Sequence, residues 1–435
     1  MCCSTPVNLV PPIRSGRSLD QKLASIHADP HGAKDFILAD AKDADMASGL
    51  AATGKDPVTG KMRSLNEYRD QMREIVKQGF VDIMLMSAST SDQLTIREKL
   101  FENSRITPAV RANDTTDIHL PAGGTYAAEP SRPFRTATIE QIQSGKANPQ
   151  PTERTLGADL GLYSITPNNK LEFDYPTVEA YKQFRIEAEQ RGFRHFLEVF
   201  DPNACGDSCP TDLGRFINDL IVRTLAGVPR SGRPMFLKIA YHGPRAMEEL
   251  VAYDPSLVVG VLGGSSGTTY DAFKLLEDAK KHGGRAALFG RKINNSEHQL
   301  TFVRFLHAIA NAEIGAAQAV RAYHGELEKL KIKPWRALKE DLEATTTVSS
   351  YRGSSAGGAA ASAKPRLDEA RRSQAAKAGA SREPGGRTIT PTPSLYPKLS
   401  NGAIDFKKMT PVQKVAYSRE RIRNDLTRSN GNGMA

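Results

Sequence analysis

Three apolar runs between residues 235 and 290 decide the fold: MFLKIAY (235–241), LVVGVLG (257–263) and AALFG (286–290). Each run is nearly continuous, without the alternation of apolar and polar residues that marks a strand with one exposed face. Such runs are typical of parallel strands that helices cover on both faces. The segments between them carry apolar residues at helical spacing, so this stretch predicts consecutive strand–helix units.

The same pattern extends toward the N-terminus through five more runs. They are FILAD (36–40), FVDIMLM (80–86), ITPAVRA (106–112), ADLGLYSI (158–165) and HFLEVF (195–200). Eight strands that alternate with helices predict an α/β fold of the TIM (β/α)8 barrel type. A doubly wound open sheet is the alternative, because periodicity does not show whether the first and last strands pair. We expect the barrel at 35–343, after an irregular N-terminal segment at 1–34.

The positive charge of the 435-residue chain is concentrated at its C-terminal end. The net charge is +10, from 59 Lys and Arg against 49 Asp and Glu. From Ala344 onward there are 16 basic and 6 acidic residues, so this tail carries the whole excess. Residues 344–405 are rich in Ala, Gly, Ser and Pro, a composition that predicts a disordered linker. The charge therefore belongs to the tail, and no recognised nucleic-acid-binding module accompanies it.

The end of the tail, residues 406–427, regains a helical pattern. Thr410, Pro411 and Gln413 fit the start of a helix. One face of that helix would carry Val412, Val415, Ile422 and Leu426. A short amphipathic helix on a flexible linker predicts docking to a protein partner or an anionic surface, or packing back onto the barrel.

Composition also limits the cellular setting. We find no run of about 18 apolar residues, so no membrane span is expected. The first residues, MCCSTPVNLVPPIRSG, lack the apolar core of a secretory signal. The chain has four cysteines, too few for a disulfide framework, and Cys205 and Cys209 lack the second pair of a zinc site. We therefore expect a cytoplasmic protein without a metal or other cofactor.

Lys238 is the residue that most strongly indicates chemistry, because it interrupts an apolar strand. Burial disfavours the charged form of an amine. A neutral amine at the C-terminal mouth of a barrel can attack a carbonyl group and form a Schiff base. The alternative is a lysine that is ion-paired or extends its amine to solvent.

Glycine-rich segments follow the last two predicted strands. Gly263, Gly264 and Ser265 come after the seventh strand, and Gly290 and Arg291 end the eighth. The loops after these two strands form the usual phosphate site of (β/α)8 barrels. The pattern predicts phosphate binding by backbone N–H groups and the guanidinium, although a Gly-Ser loop is more often only a turn.

Acidic residues lie at the ends of other predicted strands. We favour Asp43, Asp114 and Glu198 as groups that orient the lysine, bind hydroxyls or transfer protons. Helix capping and ordinary loop polarity are the alternative for each of them.

The segment from Lys238 to Phe305 resembles archaeal-type class I aldolases, the Schiff-base fructose-bisphosphate aldolases and their relatives. The similarity rests on LKIAYHG (237–243), VLGG (261–264) and FGRKI (289–293), which keep the family's order and rough spacing. A weaker similarity in DADMASG (43–49) makes Asp43 the best match for the family's first-strand aspartate, with Asp40 as the alternative. The family's fifth-strand tyrosine, its general acid, falls at Phe200, which cannot transfer a proton.

The resemblance implies a divergent Schiff-base aldolase that cleaves or forms a C–C bond in a phosphorylated carbonyl compound, works without a metal and forms a homo-oligomer. Lys238 is the implied nucleophile, and Glu198, Tyr241 or Asp114 would replace the missing tyrosine. Two alternatives remain at this point. One is another phosphosugar enzyme on the same barrel, such as an isomerase. The other is a non-catalytic barrel that binds a ligand or serves as a scaffold.

Overall fold

The computed structural model describes residues 16–56, 59–264, 267–345, 397, 408–410 and 413. The chain divides into two compact units, Met1–Ala360 and Ala361–Ala435. In the second unit, Thr410 and Gln413 exchange capping-box hydrogen bonds. The predictions of a linker at 344–405 and a helix at 406–427 otherwise fall outside the described residues, and they stay predictions.

Eight parallel strands in the first unit form a closed barrel. The strands are β1 (Ile37–Lys42), β2 (Ile83–Met86), β3 (Thr107–Arg111), β4 (Leu160–Ile165), β5 (Arg194–Val199), β6 (Leu237–Ile239), β7 (Val259–Leu262) and β8 (Ala286–Phe289). Each strand pairs with its neighbour in sequence, and β8 pairs with β1 from Ile37 opposite Ala286 to Asp40 opposite Phe289. The (β/α)8 prediction is therefore confirmed, and the open-sheet alternative is wrong because the first and last strands are hydrogen-bonded.

One helix precedes the first strand, and the others follow strands around the barrel. They are α1 (Ser18–Ala28), α2 (Ala44–Ser48), α3 (Leu65–Gln78), α4 (Ala88–Ser91), α5 (Ile139–Ser144), α6 (Leu171–Gln190), α7 (Leu213–Ala226), α8 (Pro244–Tyr253), α9 (Thr269–Lys281), α10 (Arg291–Asn294), α11 (Gln299–Ala310), α12 (Ala316–Lys329) and α13 (Leu338–Asp341). A two-stranded antiparallel ribbon, Asp114–Thr115 with Pro133–Phe134, lies in the connection between β3 and β4. Among the described residues, no helix is long and apolar enough to cross a membrane.

Successive side chains of each strand point to opposite faces of the sheet, so they belong to two cores, one inside the barrel and one between the strands and the helices. In β1, Ile37 and Ala39 belong to the cluster inside the barrel, whereas Leu38 belongs to the cluster between the strands and the helices. In β6, Leu237 and Ile239 likewise face the helices. Because both faces of each strand are buried, the apolar runs lack the alternation of a half-exposed strand.

The expectation of an irregular segment at 1–34 is wrong over Ser18–Ala28, which forms α1. Leu19, Leu23 and Ile26 are buried on one face of this helix. They pack with the first residues of the strands, including Ile37. The helix thus closes the N-terminal end of the barrel, and its stability comes from this burial.

Candidate active site

A cavity of about 430 Å³ opens at the C-terminal mouth of the barrel. Seven of the residues expected in the site line it: Asp43, Glu198, Lys238, Gly263, Gly264, Gly290 and Arg291. Residues that lie more than 240 positions apart in the chain thus meet at one end of the barrel. Parallel strands all end at this mouth, which is why loops from opposite ends of the chain can line the same cavity.

Lys238 projects into the barrel from the middle of β6 and is 8% exposed. Its Nζ lies 2.6 Å from Oε1 of Glu198. The two residues are direct partners in the register of β5 and β6. Because Glu198 is the group that faces the amine, it is placed to accept the proton that an ammonium must lose before it can act as a nucleophile.

Glu198 is held by partners on both of its oxygens. Besides Lys238, the Ser164 hydroxyl donates a hydrogen bond to Oε2 at 2.7 Å. The guanidinium of Arg111 lies 3.5 Å from the same oxygen. These contacts fix the carboxylate beside the amine, as a group that transfers protons requires.

Arg111 connects the remaining acidic residues to this pair. Its Nε lies 3.3 Å from Oδ2 of Asp43 and 3.2 Å from Oδ1 of Asp114. Burial raises the pKa of Asp114 to about 6, although the charge of Arg111 acts in the opposite direction. Arg111 lines the cavity, whereas Asp114 is not a lining residue and contacts Arg111.

Sequence reasoning did not select Arg111 or Ser164. For Arg111 a signal was present, since it interrupts the apolar run ITPAVRA in the way that Lys238 interrupts MFLKIAY. Ser164 carried no such signal, because a serine is ordinary at the end of a strand. Its role depends on the pairing of β4 with β5, which places Ser164 opposite Glu198.

The structure places Tyr241 outside the cavity, which corrects the expectation that it takes part in catalysis. Its side chain is buried in the cluster between the strands and the helices. Burial raises the pKa of its hydroxyl to about 12, and Asp278 and Glu248 add to this shift. Tyr241 lies two residues beyond the end of β6, in the same outer cluster as Ile239.

The two aspartates considered for the first strand are also separated. Asp43 lines the cavity. Asp40 is fully buried and lies 3.8 Å from Nζ of the equally buried Lys42. Lys42 in turn donates a hydrogen bond to Gln299 of α11, so the Asp40–Lys42 pair lies on the helix side of β1. Geometry therefore supports Asp43 over Asp40.

Phe200 lines the cavity at the end of β5. It packs with Ile118, Ala240 and Leu262 as an apolar wall. The position at which the resemblance implies a tyrosine is thus part of the cavity and has no proton to transfer.

The loops after β7 and β8 meet at the cavity, but not all of their amides are available to an anion. The N–H groups of Thr268 and Thr269 already donate to the carboxylates of Asp271 and Asp341 at 2.8 and 2.7 Å. The N–H of Gly263 likewise donates to the carbonyl oxygen of Leu288 at 2.9 Å. Gly264, Gly290 and Arg291 line the cavity, where a phosphate could contact them. Ser265 lies outside the described residues.

Gly263 is also required for packing. A Cβ added there would lie 2.3 Å from the ring of Phe289 on the neighbouring strand. We expect Gly263→Ala to lower the free energy of unfolding by about 1–3 kcal/mol, since overpacking of a rigid core displaces the backbone. Urea denaturation measures this. Gly264→Ala is the comparison, because its Cβ would meet nothing within 4 Å and only its φ of +60° opposes the change. An unchanged urea midpoint for Gly263→Ala would contradict the conclusion that packing requires a glycine at this position.

The burial of Asp114 predicts a pH-dependent stability. Its raised pKa means that the folded protein binds this proton more tightly than the unfolded chain does. The stabilisation is therefore present below about pH 4 and is lost as the pH rises through about 6. Relative to Asp114→Asn, we expect the wild type to lose on the order of 2 kcal/mol between pH 4 and 7. Urea denaturation between pH 4 and 7 measures this difference. If the free energy of unfolding changed with pH in the same way in both proteins, the prediction would be contradicted.

Within the described part of the chain, no group of three or more His, Cys, Asp or Glu side chains could hold a metal ion. Cys205 and Cys209 are paired in a disulfide in the loop between β5 and α7.

The fold and site together define a closed (β/α)8 barrel with an ion-paired lysine in the cavity at its C-terminal mouth. Solved structures with a similar fold include archaeal and bacterial fructose-bisphosphate aldolases. The fructose-bisphosphate aldolase from Slackia heliotrinireducens aligns with a TM-score of 0.52 and 14% identity, over 74% of this chain and 95% of that one. An archaeal fructose 1,6-bisphosphate aldolase aligns with a TM-score of 0.48 and 14% identity, over 67% and 99%.

Barrels of another enzyme type are also similar. Orotidine 5'-phosphate decarboxylase from Pyrococcus horikoshii aligns with a TM-score of 0.35 and 12% identity, over 63% of this chain and 98% of that one. No family model matches the chain, and no curated protein sequence matches it. The alignment with the Slackia heliotrinireducens aldolase, at 14% identity, supports the fold alone, and the argument for function comes from the cavity.

Proposed function

We propose that the protein is a Schiff-base aldolase-like enzyme that cleaves or forms a C–C bond in a phosphorylated sugar or a related carbonyl compound. The observation that carries the proposal is the buried Lys238 amine, 2.6 Å from the Glu198 carboxylate in the cavity at the barrel mouth. An amine beside a fixed proton acceptor is the arrangement that carbonyl addition needs.

The reaction begins with proton transfer from the Lys238 ammonium to Glu198. The neutral amine then attacks the substrate carbonyl carbon and forms a carbinolamine. Glu198 returns its proton to the departing hydroxyl, water leaves, and an iminium ion remains. When the adjacent C–C bond breaks, its electron pair moves into the iminium, which becomes an enamine, and a base takes the proton of the hydroxyl on the leaving fragment.

Glu198 is the carboxylate best placed to shuttle these protons, because it already contacts both Nζ of Lys238 and the Ser164 hydroxyl. Asp43 and Arg111 lie side by side on the cavity wall and would hold substrate hydroxyl and carbonyl oxygens. In this assignment Glu198 takes the role of the missing tyrosine at Phe200. Asp114 supports Arg111, and Tyr241 takes no part.

Gly264, Gly290 and Arg291 would bind the substrate phosphate at the ends of β7 and β8, where Gly263 also lines the cavity. A guanidinium pairs well with phosphate, and backbone N–H groups add directional donors. The substrate class in this proposal is thus a phosphorylated ketone or ketose. The expected homo-oligomer, the cytoplasmic location and a protein partner for residues 406–427 also belong to the proposal.

A second candidate is a phosphosugar enzyme of another reaction type, in which Lys238 acts by its charge alone. The Lys238–Glu198 ion pair favours it, since a lysine held as an ammonium stabilises anionic intermediates without becoming covalently attached. Reduction with borohydride in the presence of dihydroxyacetone phosphate separates the two candidates. An iminium at Lys238 is trapped as a stable secondary amine, whereas an electrostatic lysine remains unmodified.

A further inference from the structure

The segment Trp335–Thr345, here called the rim segment, connects the loops that follow β7 and β8. At one end, the Trp335 indole donates to the carbonyl oxygen of Asn295, a residue of the cavity wall. At the other end, the Thr268 hydroxyl donates to the carbonyl oxygen of Glu343 at 2.8 Å. The N–H of Thr345 donates to Asp271 at 2.9 Å. The rim segment thus contacts residues that follow β7 and residues that follow β8.

Asp341 is the buried anchor of this segment and is 2% exposed. Its Oδ1 accepts the Thr269 N–H at 2.7 Å, at the start of α9. Its Oδ2 lies 2.9 Å from Nε2 of His324 on α12. One carboxylate therefore ties the rim segment to the first turn after the β7 loop and to the body of the barrel.

The β7 loop is also tied to the β8 loop. The Lys292 amine donates to the carbonyl oxygens of Gly267 and Thr268 at 2.7 and 3.0 Å. Burial lowers the pKa of Lys292 to about 8, and Arg336 of the rim segment adds to this shift, whereas Asp341, Asp271 and Glu297 oppose it. The position of the β7 loop thus depends on the rim segment directly and on the β8 loop through Lys292.

The rim segment packs on the core through one partly buried apolar side chain, that of Leu342. Trp335 is 57% exposed and Leu338 is 39% exposed. It adds no strand to the barrel, and its polar contacts go to the site loops and to α12. An element with few buried apolar contacts opens at a lower free-energy cost than the core does. The chain continues from it into the basic C-terminal extension.

We propose that the rim segment is a detachable strap that holds the β7 loop, at Gly263, Gly264, Gly267 and Thr268, in its substrate-binding conformation. Asp341 is its positioning residue. Release of the strap frees the first turn of α9 and lowers substrate affinity. The consequence for affinity rests on the proposed function, whereas the restraint on the loop does not.

Asp341→Ala tests the strap, with Asp82→Ala as a matched control. Asp82 is 3% exposed and also accepts a backbone N–H, that of Leu38 at 2.8 Å, but it lies at the opposite end of the barrel, before β2. Asp341→Asn keeps an acceptor for Thr269 and is expected to restore part of the effect.

Two measurements are made on the full chain. Deuterium exchange of the peptide that spans β7 and the start of α9 is expected to accelerate about tenfold or more in Asp341→Ala, since a buried hydrogen bond to a carboxylate is lost. The dihydroxyacetone phosphate concentration for half-maximal borohydride trapping is expected to rise about tenfold, with the maximal rate unchanged. Asp82→Ala should change neither, although it lowers global stability.

The outcomes separate the strap from the proposed function. Unchanged exchange in Asp341→Ala, or equal acceleration in Asp82→Ala, would overturn the strap. If deuterium exchange in Asp341→Ala is faster but the dihydroxyacetone phosphate concentration for half-maximal trapping is unchanged, the strap does not control substrate affinity. If the wild type forms no adduct, the proposed function fails, and the exchange data still decide whether the strap restrains the loop.

Discussion

Replacing Lys238 by methionine is expected to reduce turnover of a phosphorylated ketone by at least about 10³-fold. The amine is the only group in the mechanism that becomes covalently attached to substrate, so its loss removes the electron sink for C–C cleavage. Methionine has a similar length and no charge, and Lys238 is 8% exposed, so the barrel should tolerate the side chain. Exchange of the α-protons of dihydroxyacetone phosphate, followed by NMR, measures the enamine step directly.

Lys42 provides the matched control for this experiment. It is a second buried lysine, fully inaccessible, but it lies on the helix side of β1, paired with Asp40 and Gln299. Lys42→Met is expected to lower stability, because Asp40 then loses its partner, and to leave proton exchange within a few-fold of the wild type. Equal losses in the two variants would show that the Lys238 effect is structural.

Glu198→Gln is the second substitution with a large expected effect. Glutamine keeps the size of the side chain and can still accept a hydrogen bond from Ser164, but it cannot take the proton of Lys238. We expect kcat to fall by about 10²–10⁴-fold, the usual contribution of a positioned acid–base group.

Glu198→Asp is the comparison for proton transfer at a changed distance. It keeps the carboxyl group and withdraws it from Nζ, so it should retain more turnover than Glu198→Gln. If Glu198→Gln turned over at the wild-type rate, the carboxylate would serve only to balance charge, and the electrostatic candidate would be favoured.

The fold could be predicted from the sequence because both faces of every barrel strand are buried. The resulting apolar runs are visible without any knowledge of which strands pair. Closure could not be predicted, since it depends on hydrogen bonds between Ile37–Asp40 and residues near 286–289. The N-terminal helix was missed, although Leu19, Leu23 and Ile26 have helical spacing, because its partner is the barrel interior.

The site was predicted in part, and the errors have a physical pattern. Lys238 stood out because a charged residue in an apolar run has to be accommodated somewhere. Arg111 interrupts its apolar run in the same way. Tyr241 lies beyond the end of β6, so strand alternation could not assign it to a face. Glu198 was one of three acidic residues expected to orient the lysine. Which of the three contacts it could not be predicted, because the contact depends on the register between two strands about 40 residues apart.

The most direct test of the central claim is reductive trapping of the intact protein. The wild type is incubated with dihydroxyacetone phosphate and sodium borohydride, and the modified residue is located by peptide mass spectrometry. The account predicts a single adduct at Lys238 that is absent from Lys238→Met and present in Lys42→Met. A folded wild type that remains unmodified across a panel of phosphorylated ketones and ketoses, or that is modified at another lysine, would contradict it.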